Sequence, residues 1–281
     1  MASCPFSHIM VSLSMPHLVT HRPRATNLTR HDTQHVSHKR WETANAISYE
    51  TGGLCFVLGS ICYFPALSDY LALGSWLYFA GSLLYLMVTG HDLLEVIHYW
   101  RTRHTNTFAD RIEHITALCY VTGSLLFTLG SLCFLPSLNA AIIGCWCFII
   151  GSALFMLGGF INMLQVVEAP SLLYMQLFNL TVAQFIVGSA LFLVATIPYM
   201  WHLQEAAQTR VENLAASQFL FASGLFLTGG IAIFYRKLVQ HKLEAFCHAS
   251  GFSTMFIHAL KSEINDRATL GHPRGVGLDD E

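Results

Sequence analysis

The chain is 281 residues long, 53% hydrophobic and only 11% charged, where soluble domains carry about 25% charged residues. Uncharged stretches recur from Thr51 to Tyr235, which excludes a soluble globular protein and predicts several membrane crossings. A net charge of −2 gives no footing for nucleic acid or for a strongly acidic partner. The lipid bilayer is the partner that composition itself names.

Residues 1–44 open the chain as a polar segment with six histidines and one acid, Asp32, in its first forty residues. They read as a disordered cytoplasmic tail; the alternative, from their Arg- and Ser-containing, acid-poor composition, is an organellar transit peptide. A bilayer-crossing helix needs about 20 mainly apolar residues, because lipid offers the backbone no hydrogen-bond partners. Six segments meet that length: Thr51–Leu67, Leu71–Val88, Ile115–Leu135, Ala140–Leu164, Leu172–Ile197 and Leu214–Tyr235. The run from Ile115 to Val167 holds no Asp, Glu, Lys, Arg or His and is too long for one span, so Pro136-Ser-Leu-Asn139 is expected to break it. Pro65 and Pro198 mark equivalent turns. The predicted fold class is therefore all-α, a polytopic membrane protein of six transmembrane helices arranged as three repeated two-helix hairpins. Its parts are a first hairpin over 45–100, a loop over 101–113, a second hairpin over 114–167, a divergent third over 168–237 and a cytoplasmic tail over 238–281. In that tail Leu243, Phe246, Met255, Phe256 and Leu260 suit an interfacial amphipathic helix.

Fourteen of the fifteen lysines and arginines fall before the first span, between spans two and three, or after the last; Arg210 stands alone opposite. Positively charged short loops stay cytoplasmic, so both termini are expected in the cytoplasm.

Self-comparison finds a repeat. Gly52–Pro65 (GGLCFVLGSICYFP) aligns with Gly123–Pro136 (GSLLFTLGSLCFLP), and the segment from Leu73 (LGSWLYFAGSLLYLM) with that from Ile143 (IGCWCFIIGSALFML). Trp76 meets Trp146, and Gly81-Ser82 meets Gly151-Ser152. A weaker third copy is marked by VGSALF at Val187 and by Ser223-Gly224, which carries the Gly-Ser pair in inverted order. Tyr49-Glu50, Gly59-Ser60 and the run Gly74-Ser-Trp-Leu-Tyr-Phe-Ala-Gly-Ser82 resemble the YrhK-like domain of bacterial membrane proteins. The second copy keeps Gly144, Trp146, Phe148 and Gly151-Ser152 but has Tyr120-Val121 where the first has Tyr49-Glu50. The resemblance implies a two-helix membrane unit and a bacterial inner (plasma) membrane location; it implies no activity, cofactor or site residue.

Gly52 and Gly59, Gly74 and Gly81, Gly123 and Gly130, and Gly144, Gly151 and Gly158 are each seven apart. That spacing keeps small residues on one stripe of a left-handed helix pair and lets backbones approach. These glycines are predicted packing sites, with a pore lined by small residues as the alternative.

Two groups are candidates for chemistry. Glu50 lies in the opening turns of the first span, where an ionisable group is costly and usually faces water or a partner; it is the candidate for ion or proton coupling. His91, Glu95 and His98 stand at i, i+4 and i+7 near the end of span two, a pattern able to hold Zn or Fe. The simpler reading is interfacial polar residues, and no cofactor is expected. His114 with Asp110 and Glu113, and His241 with Glu244 and His248, form lesser clusters of the same kind. No histidine lies inside a predicted span, which argues against haem, and no CxxC, Walker A, GxSxG or HExxH sequence occurs. The sequence thus names no reaction. It favours a structural, assembly or partner-binding membrane module, as a homo-oligomer or with a membrane-protein partner; a transporter using Glu50 comes second and a metal-binding redox protein third.

Overall fold

A computed structural model of the chain describes residues 34–102, 108–164, 172–201 and 204–249. Six long α-helices carry the described chain: α1 Gln34–Cys62, α2 Leu71–Thr102, α3 Phe108–Cys133, α4 Ala141–Leu164, α5 Leu172–Thr196 and α6 Glu205–Ala249. Short 3-10 segments, Pro65–Tyr70, Pro136–Leu138 and Ile197–Met200, sit between α1 and α2, α3 and α4, and α5 and α6. Each has a proline in its first turn, where the missing N–H costs nothing. The first helix consequently ends at Cys62 rather than Leu67, and the third at Cys133 rather than Leu135. At the Pro136 turn the chain reverses through Asn139, whose φ of 47° and ψ of 35° are left-handed; asparagine tolerates this because its short amide bonds locally.

Among the described residues five stretches are long and apolar enough to cross a membrane: 65–98, 111–133, 141–163, 179–200 and 207–232. The helix outside that set is α1, whose apolar run is diluted by Asn45, Ser48, Glu50 and Thr51. Several helices outrun the predicted spans: α2 continues to Thr102, and α6 covers 45 residues. Of the tail residues assigned to an interfacial helix, Leu243 and Phe246 belong to the backbone of α6, while Met255, Phe256 and Leu260 lie outside the described residues, as do residues 1–33.

Each helix packs on its two neighbours in sequence, and α6 closes on α1. The result is a ring of six helices around an axis, with a turn end at the 3-10 segments and an open end where α1 begins and α6 finishes. Large apolar side chains such as Leu54, Leu83, Leu125, Ile150 and Val187 project outward, as a lipid-facing surface requires. Trp76 and Trp146, the tryptophans of the repeat, also lie on this outer face, half exposed.

Aromatic rings seated on glycines fix the helix registers. A Cβ on Gly52 would stand 2.7 Å from the Tyr85 ring, on Gly59 2.9 Å from Tyr78, and on Gly81 2.8 Å from Phe56. In α3 and α4 a Cβ on Gly123 would meet Phe155 at 2.6 Å, on Gly130 Phe148 at 2.7 Å, and on Gly158 Tyr120 at 3.1 Å. Between α5 and α6, Gly188 lies in the same relation to Phe226, at 2.9 Å. Gly144 and Gly151 approach backbone first, the Gly130 and Gly123 carbonyls at 3.1 and 3.2 Å, while a Cβ on Gly74 would meet Cys62 at 3.0 Å and the Tyr63 ring at 3.1 Å before the Gly59 carbonyl at 3.2 Å. Ala222-Ser223, rather than Ser223-Gly224, holds the place of the Gly-Ser pairs: Ala222 and Ser223 are buried, whereas a Cβ on Gly224 would meet nothing within 4 Å.

These rings fill the axis. Phe192 meets Phe56 at 6.3 Å between centroids, Phe127 at 5.8 Å, and Phe219 and Phe226 at 5.6 Å each. Most such pairs are edge-to-face, the arrangement the ring quadrupole favours.

Candidate functional site

The polar groups inside the ring fall into two places. Near the turn end, Ser60 Oγ lies 2.8 Å from the Phe56 carbonyl, 2.7 Å from the Tyr78 hydroxyl and 2.9 Å from Ser223 Oγ. With Ser60 donating to the carbonyl, both other hydroxyls donate to Ser60, so one serine ties α1 to α2 and α6. Ser131 and Thr196 make the same back-bond, to the Phe127 and Phe192 carbonyls at 2.7 and 2.6 Å. Thr89 adds a bond from α2 to Ser124 of α3 at 3.1 Å. A void of about 10 Å³ remains between these helices, lined chiefly by Phe56, Tyr85, Phe127, Phe155, Phe192 and Phe226; it has room for no more than one water-sized sphere.

The second place is toward the open end. Asn45, Asp92, Thr116 and Asn162 are buried there, at 4%, 1%, 0% and 2% exposure, and Glu113 is buried a turn further out on α3. Asn162 Nδ2 donates to the Tyr120 hydroxyl across 3.4 Å. Tyr49 lies within electrostatic reach of Tyr85, Tyr120 and Asp92. The carbonyl oxygens of Asn45 and Asn162 and the hydroxyl of Tyr85 are buried without a hydrogen-bond partner.

The residues singled out from sequence are dispersed over the molecule. Glu50 is half-buried at the seam of α1 and α6, its carboxyl carbon 3.8 Å from where a Cβ on Gly230 would stand. It does not line the central void. His91 Nε2 and Glu95 Oε1 are 3.9 Å apart and each about a quarter exposed, and His98 is exposed. Among the described residues no three His, Cys, Asp or Glu side chains converge on a position that could hold a metal. The side chains of Asp110, His241, Glu244 and His248 lie outside the described residues. The buried layer of Asn45, Asp92, Thr116 and Asn162 went unrecognised in the sequence. Its signal was present: Asp92 and Asn162 are 70 residues apart, the offset of the Trp76–Trp146 repeat, and Asn45 and Thr116 are 71 apart, the offset of Gly52–Gly123.

Comparison with known proteins bears on the first four helices. No curated protein and no solved structure matches the chain. The family model described as YrhK-like protein matches residues 39–97 and again residues 110–167. The segments carrying Tyr49-Glu50, Trp76 and Trp146 are therefore similar to the YrhK-like family, the first match falling on α1 and α2 and the second on α3 and α4.

Proposed function

We propose that the protein is a non-enzymatic membrane module with a structural, assembly or partner-binding role. In this reading six transmembrane helices form three related hairpins in a bacterial inner membrane, both termini are cytoplasmic, and the glycine stripe is the device that packs them. One observation carries it: the axis, where a six-helix transporter would place its pathway, is occupied by interlocked aromatic rings and keeps a void of only about 10 Å³. A conduit needs polar or water-filled lining, and the lining here is mostly phenylalanine. The transporter reading needs Glu50 on a central cavity, and Glu50 lies at the α1–α6 seam. The repeated glycine–ring contacts and the two YrhK-like segments support the hairpin arrangement, and the lysine and arginine distribution supports the orientation.

The test is flux. Purified protein in proteoliposomes is expected to pass protons, alkali cations and small neutral solutes no faster than empty vesicles. A reproducible flux that Glu50→Gln abolishes, with the variant still eluting as the wild type does, would return the transporter to first place.

A further inference from the structure

Glycine–ring contacts set the register that decides what faces what at the open end. Position 59 of α1 faces 78 of α2, and seven residues on, 52 faces 85; the next step of seven along both helices brings Asn45 level with Asp92. The second hairpin follows the same course: 130 faces 148, 123 faces 155, and the next step sets Thr116 level with Asn162. The two pairs are linked sideways, since Asn162 donates to Tyr120 at 3.4 Å and Tyr49 is in reach of both Tyr120 and Asp92. One layer across α1 to α4 thus holds a carboxylate, two amide carbonyls without partners and a threonine hydroxyl, all at least 95% buried. The two unpartnered amide carbonyls are costly where they lie, and each is an acceptor.

We propose that this layer is a binding site for a small monovalent cation. The donor set consists of oxygens alone, which suits hard cations and not Zn or Fe. Asp92 supplies a single formal charge at that level, and the Asn45 and Asn162 carbonyl oxygens supply neutral ligands. Bound there, the ion would satisfy the two open amide acceptors and tie the first hairpin to the second. The site is a stabilising one and involves no flux, so it stands or falls apart from the reading of the protein as a non-conducting module.

The experiment is thermal unfolding of the full-length protein in detergent at constant ionic strength. Chlorides of lithium, sodium and potassium are compared with N-methylglucamine chloride, alongside Asn162→Leu and Asp92→Asn. The expected result is a saturable rise of several degrees in Tm with one or more of the alkali cations, lost in Asn162→Leu, whose burial suits an apolar side chain. Gly224→Leu, on the open outer face, should keep the full rise. Should Asp92→Asn fail to fold, Asn162→Leu decides alone. Equal melting in all four salts, or an ion-dependent rise unchanged in Asn162→Leu, would each overturn the assignment.

Discussion

Near the turn end Ser60 meets two hydroxyls and a carbonyl and leaves nothing open; a few turns toward the open end, Asn45 and Asn162 are as deeply buried yet each keeps an acceptor without a donor. Both places grow from the same repeated helix pairs, so packing geometry does not separate them. The difference is the side chain at the repeat position. A serine spends its proton on its own helix and still accepts from across the ring. An asparagine carbonyl oxygen has no proton to give, so Asn45 and Asn162 each keep an acceptor open where no donor reaches it. Satisfied polar groups inside a membrane bundle act as fasteners, whereas each unsatisfied one calls for an explanation of its own. Ser152 is an intermediate case: it is buried at the position equivalent to Ser82 and has no partner.

The largest expected effect breaks the scaffold common to both regions. Gly81→Leu would drive a side chain into the Phe56 ring at 2.8 Å and the Gly52 carbonyl at 2.9 Å; the backbone behind that contact cannot yield, and the monodisperse species should vanish on size exclusion. Gly224→Leu meets nothing within 4 Å and should elute as the wild type. Next, Phe192→Ala removes the ring that touches Phe56, Phe127, Phe219 and Phe226 and should cost about 3–5 kcal/mol, seen as a large fall in the detergent melting temperature. Ser60→Ala tests the satisfied node: leaving the Tyr78 and Ser223 hydroxyls unpaired should cost about 1–3 kcal/mol. Ser131→Ala, whose one bond is to its own helix, should cost less than Ser60→Ala in the same assay. Smallest of all, His91→Ala with Glu95→Ala should change stability by about 0.5 kcal/mol or less, since a loose, partly exposed i,i+4 pair contributes little. Metal content by mass spectrometry should be the same in that variant as in the wild type; stoichiometric metal lost with the pair would contradict the placement of these residues.

Much of the scaffold was legible in advance because membrane helices declare themselves by apolar length and glycine spacing. The turn at Pro136-Ser-Leu-Asn139 follows from proline chemistry and from asparagine's tolerance of a left-handed backbone. The heptad spacing marks the glycines as close-approach positions, but it does not name the rings opposite them, because the sequence carries no pairing register. In the sequence Gly188 is legible only as part of a repeat; its partner Phe226 and the place of Ala222 in the third pair emerge from contacts across helices. The site was less legible than the fold. His91, Glu95 and His98 share a helix face, but a face is one wall, and no second wall brings ligands to it among the described residues. Asp92, one residue from His91, points inward instead, because a helix turns about 100° per residue.

Taken alone, the sequence determined the apolar helices able to cross a membrane, the two YrhK-like segments and the proline breaks between helices, since these depend on composition, proline chemistry and local periodicity. Tertiary structure decided that the six helices close into a ring, that aromatic rings rather than water fill the axis, and that Asn45, Asp92, Thr116 and Asn162 share one layer. Those outcomes depend on register between helices distant in the chain, set by which ring seats on which glycine. No local property of the chain encodes that pairing.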